Sequence, residues 1–175
     1  TPGHTMESSC YLLMDENGKN HAVFTGDTLF VGDVGRPDLA VKSDLTREDL
    51  AGLLYESLNT KIKPLADEVI VYPAHGAGSA CGKNIGKETF STIGVQKKMN
   101  YALQPMSKQE FIAAVIDGLS EPPKYFFVDA MLNKKGYENI DEVISKNTLP
   151  LSVEEFEKEI KNGATILDAR DPDAF

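Results

Sequence analysis

Two side chains near the start of this sequence could share a divalent cation: His4, in Thr1-Pro2-Gly3-His4-Thr5, and Asp27, in Phe24-Thr25-Gly26-Asp27. A histidine on a tight Pro-Gly turn offers a neutral nitrogen. A carboxylate at the end of an apolar strand offers an anionic oxygen, and the two together suit iron or zinc. His75 follows a second apolar strand, in Val69-Ile70-Val71-Tyr72-Pro73-Ala74-His75-Gly76. It could ligate a second metal, or hydrogen-bond to substrate or to metal-bound water. Taken singly, these residues are as well explained by a satisfied turn histidine, a loop-capping aspartate and a loop histidine. The recurrence of a potential ligand at strand ends favours a metal site. His21, beside polar Asn20 in the first hairpin, reads as a solvated strand residue.

Four further residues are candidates. Arg36 and Asp38 follow Asp27 in a glycine-rich loop with Gly32, Gly35 and Pro37. They could orient a ligand or grip an anionic substrate, but pairing with each other to pin the loop is the favoured reading. Thr28 is placed to hold the Asp27 carboxylate in orientation. Cys81 lies in the small-residue run Ser79-Ala80-Cys81-Gly82-Lys83, six positions after His75. Lys83 could lower its pKa and make it a reactive thiolate; a buried small residue in a loop is the equal alternative. Cys10, beside Tyr11 and Leu12, reads as core.

Composition narrows the function classes. A formal charge of -9 from 18 basic and 27 acidic groups argues against nucleic acid. Apolar runs are too short to span a membrane, and no charged-then-apolar signal segment opens the chain. Two cysteines are too few for a disulfide framework, so a reducing compartment, the cytoplasm, is the expected home. The chain begins without Met on the histidine turn and stops at Asp171-Pro172-Asp173-Ala174-Phe175. Both ends read as cut, and a fragment of a longer protein is expected.

The elements that must position these residues follow from patterning. Cys10 to Met14 and Ala22 to Phe24 flank an Asn17-Gly18 turn and predict a hairpin. Thr46 with Asp49 predicts a capped helix whose Leu50, Leu53, Leu54 and Leu58 share one face, ended by Pro64. Val69 to Val71 is a buried strand, and 76–86 a Gly/Ala/Ser-rich loop. Lys87 to Met99 is expected to be helical, with Phe90, Ile93 and Met99 facing inward. Ser107 with Glu110 opens another helix with Phe111, Val115 and Leu119 beside Ile112 and Ile116, ended by Pro122-Pro123. Ala130 to Gly136 is expected to be irregular and Asp141 to Lys146 helical, with a domain boundary near Thr148-Leu149-Pro150. Beyond it, Ser152 with Glu155 caps a helix whose Phe156 and Ile160 face a core, and Ala164 to Leu167 is a strand before Asp168-Ala169-Arg170. One helix and one strand are too little for a core of their own.

These residues resemble the metallo-β-lactamase superfamily: Thr1 to Thr5 its "TPGHT" turn, Phe24 to Phe30 its "TGDTLF" strand, Tyr72 to Gly76 its "YPxHG" loop. Gly32 to Asp38 is similar to the "GxxGRxD" loop of persulfide dioxygenases and glyoxalase II enzymes. Gly76 to Lys83 and Phe90 to Leu103 look like a persulfide dioxygenase fused to a rhodanese domain, and Leu151 to Phe175 like the opening of that second domain. The resemblance implies an α/β chain: the C-terminal half of an αββα sandwich over 1–147, plus the first helix and strand of a rhodanese-like domain over 148–175.

By the same resemblance His4 and Asp27 bind iron(II), with zinc(II) the alternative, and His75 stands beside the metal or ligates a second one. The substrate would be a low-molecular-weight thiol persulfide, oxidised to sulfite and free thiol. Two patterns fall outside this chain: the family's HxHxDH motif, expected upstream, and the rhodanese sulfur-carrying cysteine, expected downstream. Single-domain dioxygenases also place a tyrosine where Ala77 stands; Cys81 could do related work. The alternatives are a dinuclear zinc hydrolase of thioesters and a non-catalytic scaffold whose Leu50–Leu58 and Phe111–Leu119 helices serve assembly. A homo-oligomer is compatible with all three.

Overall fold

The computed structural model describes residues 1–40, 45–171 and 173; Pro172, Ala174 and Phe175 of the expected rhodanese-like opening lie outside the described residues. The chain separates into two compact units, Thr1–Phe127 and Val128–Phe175.

The first unit is built on a four-stranded mixed sheet. Strand β1 (Tyr11–Met14) pairs antiparallel with β2 (Asn20–Gly26) across the expected hairpin, with Tyr11 opposite Phe24. The Asp15 carboxylate accepts from the amides of Asn17 and Lys19, and Gly18 takes the positive φ the turn needs. Strand β3 (Ile70–Pro73) then runs parallel to β2. A parallel neighbour requires a crossover, and the chain between them carries helix α1 (Arg47–Ser57).

Helix α1 starts at the expected capping box, Thr46 with Asp49, which holds the Asp49 carboxyl below its usual pKa through the Thr46 hydrogen bonds. Leu50, Leu54 and Leu58 are buried and Leu53 is half-buried. The helix widens into a π-helical turn, Leu58–Ile62, before Pro64. Leu54, Leu58 and Ile62 pack with Val23 and Val71 from one face of the sheet and with Phe111 and Val115 from helix α3 (Lys108–Ile116).

Several expectations about this unit are corrected. Residues 87–92 are not helical: Ser91–Thr92 form strand β4 against β3, and helix α2 is only Ile93–Met99. The Thr92 hydroxyl accepts from Val95 N, so the helix begins where strand pairing ends. Ile93 is buried, but Phe90 and Met99 are exposed; Gln96 and Asn100 turn inward instead. Helix α3 ends at Ile116, before Leu119 and well before Pro122, because Gly118 adopts φ +67°.

The second unit contains most of helix α4 (Phe126–Lys135), then α5 (Ile140–Asn147) and α6 (Val153–Lys161). Helix α4 replaces the irregular segment expected at Ala130–Gly136. Phe126 N bonds Pro123 O at its start and Gly136 (φ +88°) stops it, signals that apolar periodicity does not carry. Helix α6 keeps its Ser152/Glu155 capping box. Phe156 and Ile160 are exposed rather than core-facing, and 164–167 forms no strand. A strand needs a pairing partner, and no other strand is present among the described residues of this unit. No helix among the described residues is long and apolar enough to cross a membrane.

The buried amide of Asn100 donates to the carbonyls of Phe30 (3.3 Å) and Asp33 (2.9 Å) and to Oε1 of Gln96 (3.1 Å). Asn100→Leu therefore strands buried acceptors and is expected to cost about 2 kcal/mol, read as a lower urea midpoint. Met99→Ser, next to it but exposed, is expected to stay within about 0.5 kcal/mol.

Candidate metal centre

Because β2 and β3 are parallel, their C-terminal ends lie at the same sheet edge, and each end carries a site residue: Asp27 directly after β2, His75 two residues after β3. Ala74 N bonds Gly26 O at 3.1 Å, tying the two strand exits together. The edge at strand C-termini is where open α/β sheets bind ligands.

His4 reaches this edge from the N-terminal turn, which rests on α1. Gly3 lies so close to Leu54 that a Cβ would sit 2.5 Å from the Leu54 Cα. The Ser57 hydroxyl donates to Pro2 O at 2.7 Å. The His4 ring is nearly buried, and its Nδ1 lies 2.8 Å from Arg36 O. A carbonyl only accepts, so Nδ1 carries the hydrogen of this contact and Nε2 is the ring atom turned to the site, available as a metal donor.

Three donor atoms converge: one each from His4, Asp27 and Cys81 lie within 4.8 Å of one another. The Nε2 atoms of His4 and His75 stand 3.9 Å and 3.1 Å from Asp27 Oδ1. That oxygen is buried yet accepts no hydrogen bond. A buried carboxylate oxygen flanked by two imidazoles but without a hydrogen bond is costly, and a cation satisfies it; the donor chemistry fits a divalent first-row metal.

The remaining candidates are placed as follows. The Arg36 guanidinium, 3% exposed, is bidentate to Asp38, with Nε–Oδ1 and Nη2–Oδ2 both 2.7 Å. It also donates to Ser120, to its carbonyl and, at 3.3 Å, to its hydroxyl. Pinning is thus the geometry present. Thr28 does not orient Asp27 by a hydroxyl bond: its Oγ1 donates to Thr1 Oγ1 at 3.0 Å. Lys83 does not serve Cys81 either. Its ammonium donates to Ala114 O (2.6 Å) and Asp117 O (3.1 Å) and lies over the Tyr101 ring. Burial first, and Asp27 after it, push the Cys81 thiol above its usual pKa, opposite to the expected lowering; a Ser79 bond and Arg36 only partly oppose them. His21 is exposed, and half-buried Cys10 packs against the core.

Asp33 was not singled out by the sequence. It is fully buried, its Oδ1 accepts from Val34 N (2.8 Å), and its Oδ2 accepts from Lys83 N and Asn84 N, both 2.6 Å. One carboxylate thereby anchors the Cys81 loop to the Asp27–Arg36 loop. Arg36 N adds a bond to Cys81 O at 2.9 Å. Its partners lie fifty residues away in sequence, and only the glycines flanking it hinted at a constrained loop.

No protein-family model matches the chain. The structure is mixed α/β with a metallo-β-lactamase-like fold: it matches a metallo-β-lactamase from Staphylococcus aureus at TM-score 0.70 and 37% identity, over 79% of this chain and 39% of that one. Among curated relatives, the mitochondrial persulfide dioxygenase ETHE1 of Mus musculus is 31% identical over 122 residues, 70% of this chain and 40% of that protein. The hydroxyacylglutathione hydrolase GloC of Haemophilus influenzae is 34% identical over 106 residues, 61% of this chain and 39% of that protein. The chain thus spans about two fifths of the length of the curated relatives it matches. Structural neighbour and relatives together support the metallo-β-lactamase superfamily, and both relatives are enzymes.

Two substitutions test the site's scaffold. Gly35 leaves no room for a side chain, since a Cβ would overlap Asp27 O and lie 3.1 Å from His4 Cβ. Gly35→Ala is expected to weaken cobalt(II) binding about 10- to 100-fold, whereas Gly76→Ala, with nothing within 4 Å, should leave it unchanged. Asp33→Asn, which cannot reproduce the three amide bonds, is expected to cost about 1.5–3 kcal/mol and to speed Cys81 alkylation by releasing its loop.

Proposed function

We propose that the intact protein is a metal-dependent enzyme of the metallo-β-lactamase superfamily, an iron(II) persulfide dioxygenase acting on a low-molecular-weight thiol persulfide. The observation that carries this is the buried Oδ1 of Asp27, which accepts no hydrogen bond and lies 3.9 Å from His4 Nε2 and 3.1 Å from His75 Nε2. The reaction R–S–SH + O2 + H2O → R–SH + SO3²⁻ + 2H⁺ needs an anionic sulfur held beside an oxidant and protons moved on and off it.

His4 and Asp27 would hold the metal, which when bound supplies a Lewis-acidic, redox-active centre with open positions. The chain's own residues do the rest. His75, half-exposed and 3.1 Å from Asp27, can carry a proton to or from the substrate's sulfur at its Nε2. Arg36, locked to Asp38 and Ser120, keeps the His4 tautomer through its own carbonyl. Two donors alone hold a dication weakly, so the 175-residue chain by itself is expected to turn over little or nothing, and activity belongs to the intact protein, where an upstream histidine would join them. We read 1–147 as the metallo-β-lactamase-like domain and 148–175 as the start of a rhodanese-like one, in a cytoplasmic protein that binds neither nucleic acid nor membrane; a homo-oligomer is compatible with this reading.

The second reading, a glyoxalase II-like dinuclear zinc thioester hydrolase, is favoured by the similarity to the Haemophilus hydrolase. Element-resolved metal analysis separates the two: one iron per chain supports oxidation, two zincs support hydrolysis. Oxygen uptake with glutathione or coenzyme A persulfide is expected for the intact protein, and Asp27→Asn should reduce it more than about 100-fold, beyond the loss typical of groups that only support ligands. Unchanged metal content and activity in Asp27→Asn would instead indicate a non-catalytic scaffold.

A further inference from the structure

Phe30 and Phe111 are the two largest fully buried side chains, yet only Phe111 belongs to the hydrophobic core cluster. Leu29, the residue before Phe30, belongs to it as well. The Phe30 ring packs instead on the imidazole of His75, with centroids 5.9 Å apart and planes tilted by 53°. That separation lies within the range of about 4.5–7 Å in which aromatic rings attract one another. Membership of the core does not account for this buried ring; a floor beneath His75 does.

His75 needs such a floor. Its side chain is 40% exposed, and its Nε2 lies 3.1 Å from Asp27 Oδ1 without forming a hydrogen bond to it. That contact places one atom and leaves the ring free to turn about it. Packing against a fixed ring sets the plane. Phe30 is fixed by its backbone: its N donates to Asp33 O at 2.9 Å, and its carbonyl accepts from the Asn100 amide at 3.3 Å. Gly32 N donates to Gln96 Oε1 at 2.9 Å, and Gly86 N donates to Val31 O at 2.8 Å. Gln96 and Asn100, four residues apart on one face of α2, thereby clamp the turn that carries Phe30.

We propose that Phe30 is a positioning residue for His75: it holds the imidazole plane so that Nε2 stays turned to the reacting edge, and Gln96 and Asn100 hold Phe30 in turn. Phe30 makes and breaks no bond. It acts by keeping an acid–base group in place, where a misplacement of about 1 Å costs about 100-fold in rate. The inference rests on the proton-carrying role given to His75 above.

NMR of the metal-free 175-residue chain tests the placement. The Phe30 ring current displaces the Cδ2–H and Cε1–H signals of His75, identified by their loss in His75→Gln, from those of exposed His21. Phe30→Leu is expected to move them towards the His21 positions, and Phe30→Met, unbranched and adaptable, to behave alike. Asn100→Ala, whose native amide reaches Phe30, Asp33 and Gln96 but not His75, should move them the same way by less. Phe111→Leu, which removes an equally buried ring from the core, should leave them in place. In the intact protein, Phe30→Leu is expected to lower kcat for oxygen uptake with glutathione persulfide about 10- to 100-fold, with KM within about twofold and metal content unchanged. His75 signals unmoved in Phe30→Leu, moved as far by Phe111→Leu, or moved with kcat unchanged overturn the proposal. An intact wild-type protein that takes up no oxygen overturns the persulfide reading instead, and the ring shifts then decide the placement of His75 by themselves.

Discussion

The parallel pairing of β2 with β3 is the constraint on which the site depends. An antiparallel pairing would send the two strand exits to opposite edges, separating Asp27 from His75 by the length of a strand. Parallel pairing demands a crossover, and here the crossover carries α1, which does a second job. Its Leu54 and Ser57 form the platform on which the Pro2-Gly3-His4 turn lies. One topological choice thus brings together candidate ligands that lie in three separate stretches of chain.

Two buried charged groups then turn a sheet edge into a shaped centre. Asp33 collects three backbone amides, and Arg36 spreads its guanidinium over Asp38 and Ser120. Burying such groups is costly unless their hydrogen bonds are met, and both are well supplied. Asp27 is the contrast: its side chain is partly exposed, and its buried Oδ1 accepts no hydrogen bond, an oxygen that a cation would satisfy. A buried acceptor without a hydrogen-bond donor calls for an explanation, and a bound cation supplies one.

Much of the architecture was legible locally. The capping boxes at Thr46/Asp49, Ser107/Glu110 and Ser152/Glu155, the Asn17-Gly18 hairpin and the Leu50–Leu54–Leu58 face all depend on residues a few positions apart. The misread segments depended on distant partners. Residues 91–92 became a strand because β3 offered an edge, and 164–167 formed none because no strand stood beside it. Asn100 and Gln96, polar residues that helical patterning would send outward, are buried because the Phe30–Asp33 carbonyls need donors.

The amino-acid order by itself determined the chemistry available: an imidazole on a Pro-Gly turn, a carboxylate after a strand, a second imidazole after another, and a thiol in a small-residue loop. It also determined the caps and turns, since these are short-range hydrogen bonds and backbone preferences. Only the tertiary structure decided which of those groups meet. It placed the Cys81 sulfur with His4 and Asp27, sent Lys83 away to the end of α3, and made Asp33 the anchor between two loops. Such meetings are set by strand topology and by the need to pair buried polar atoms, and neither is written in the spacing of neighbouring residues.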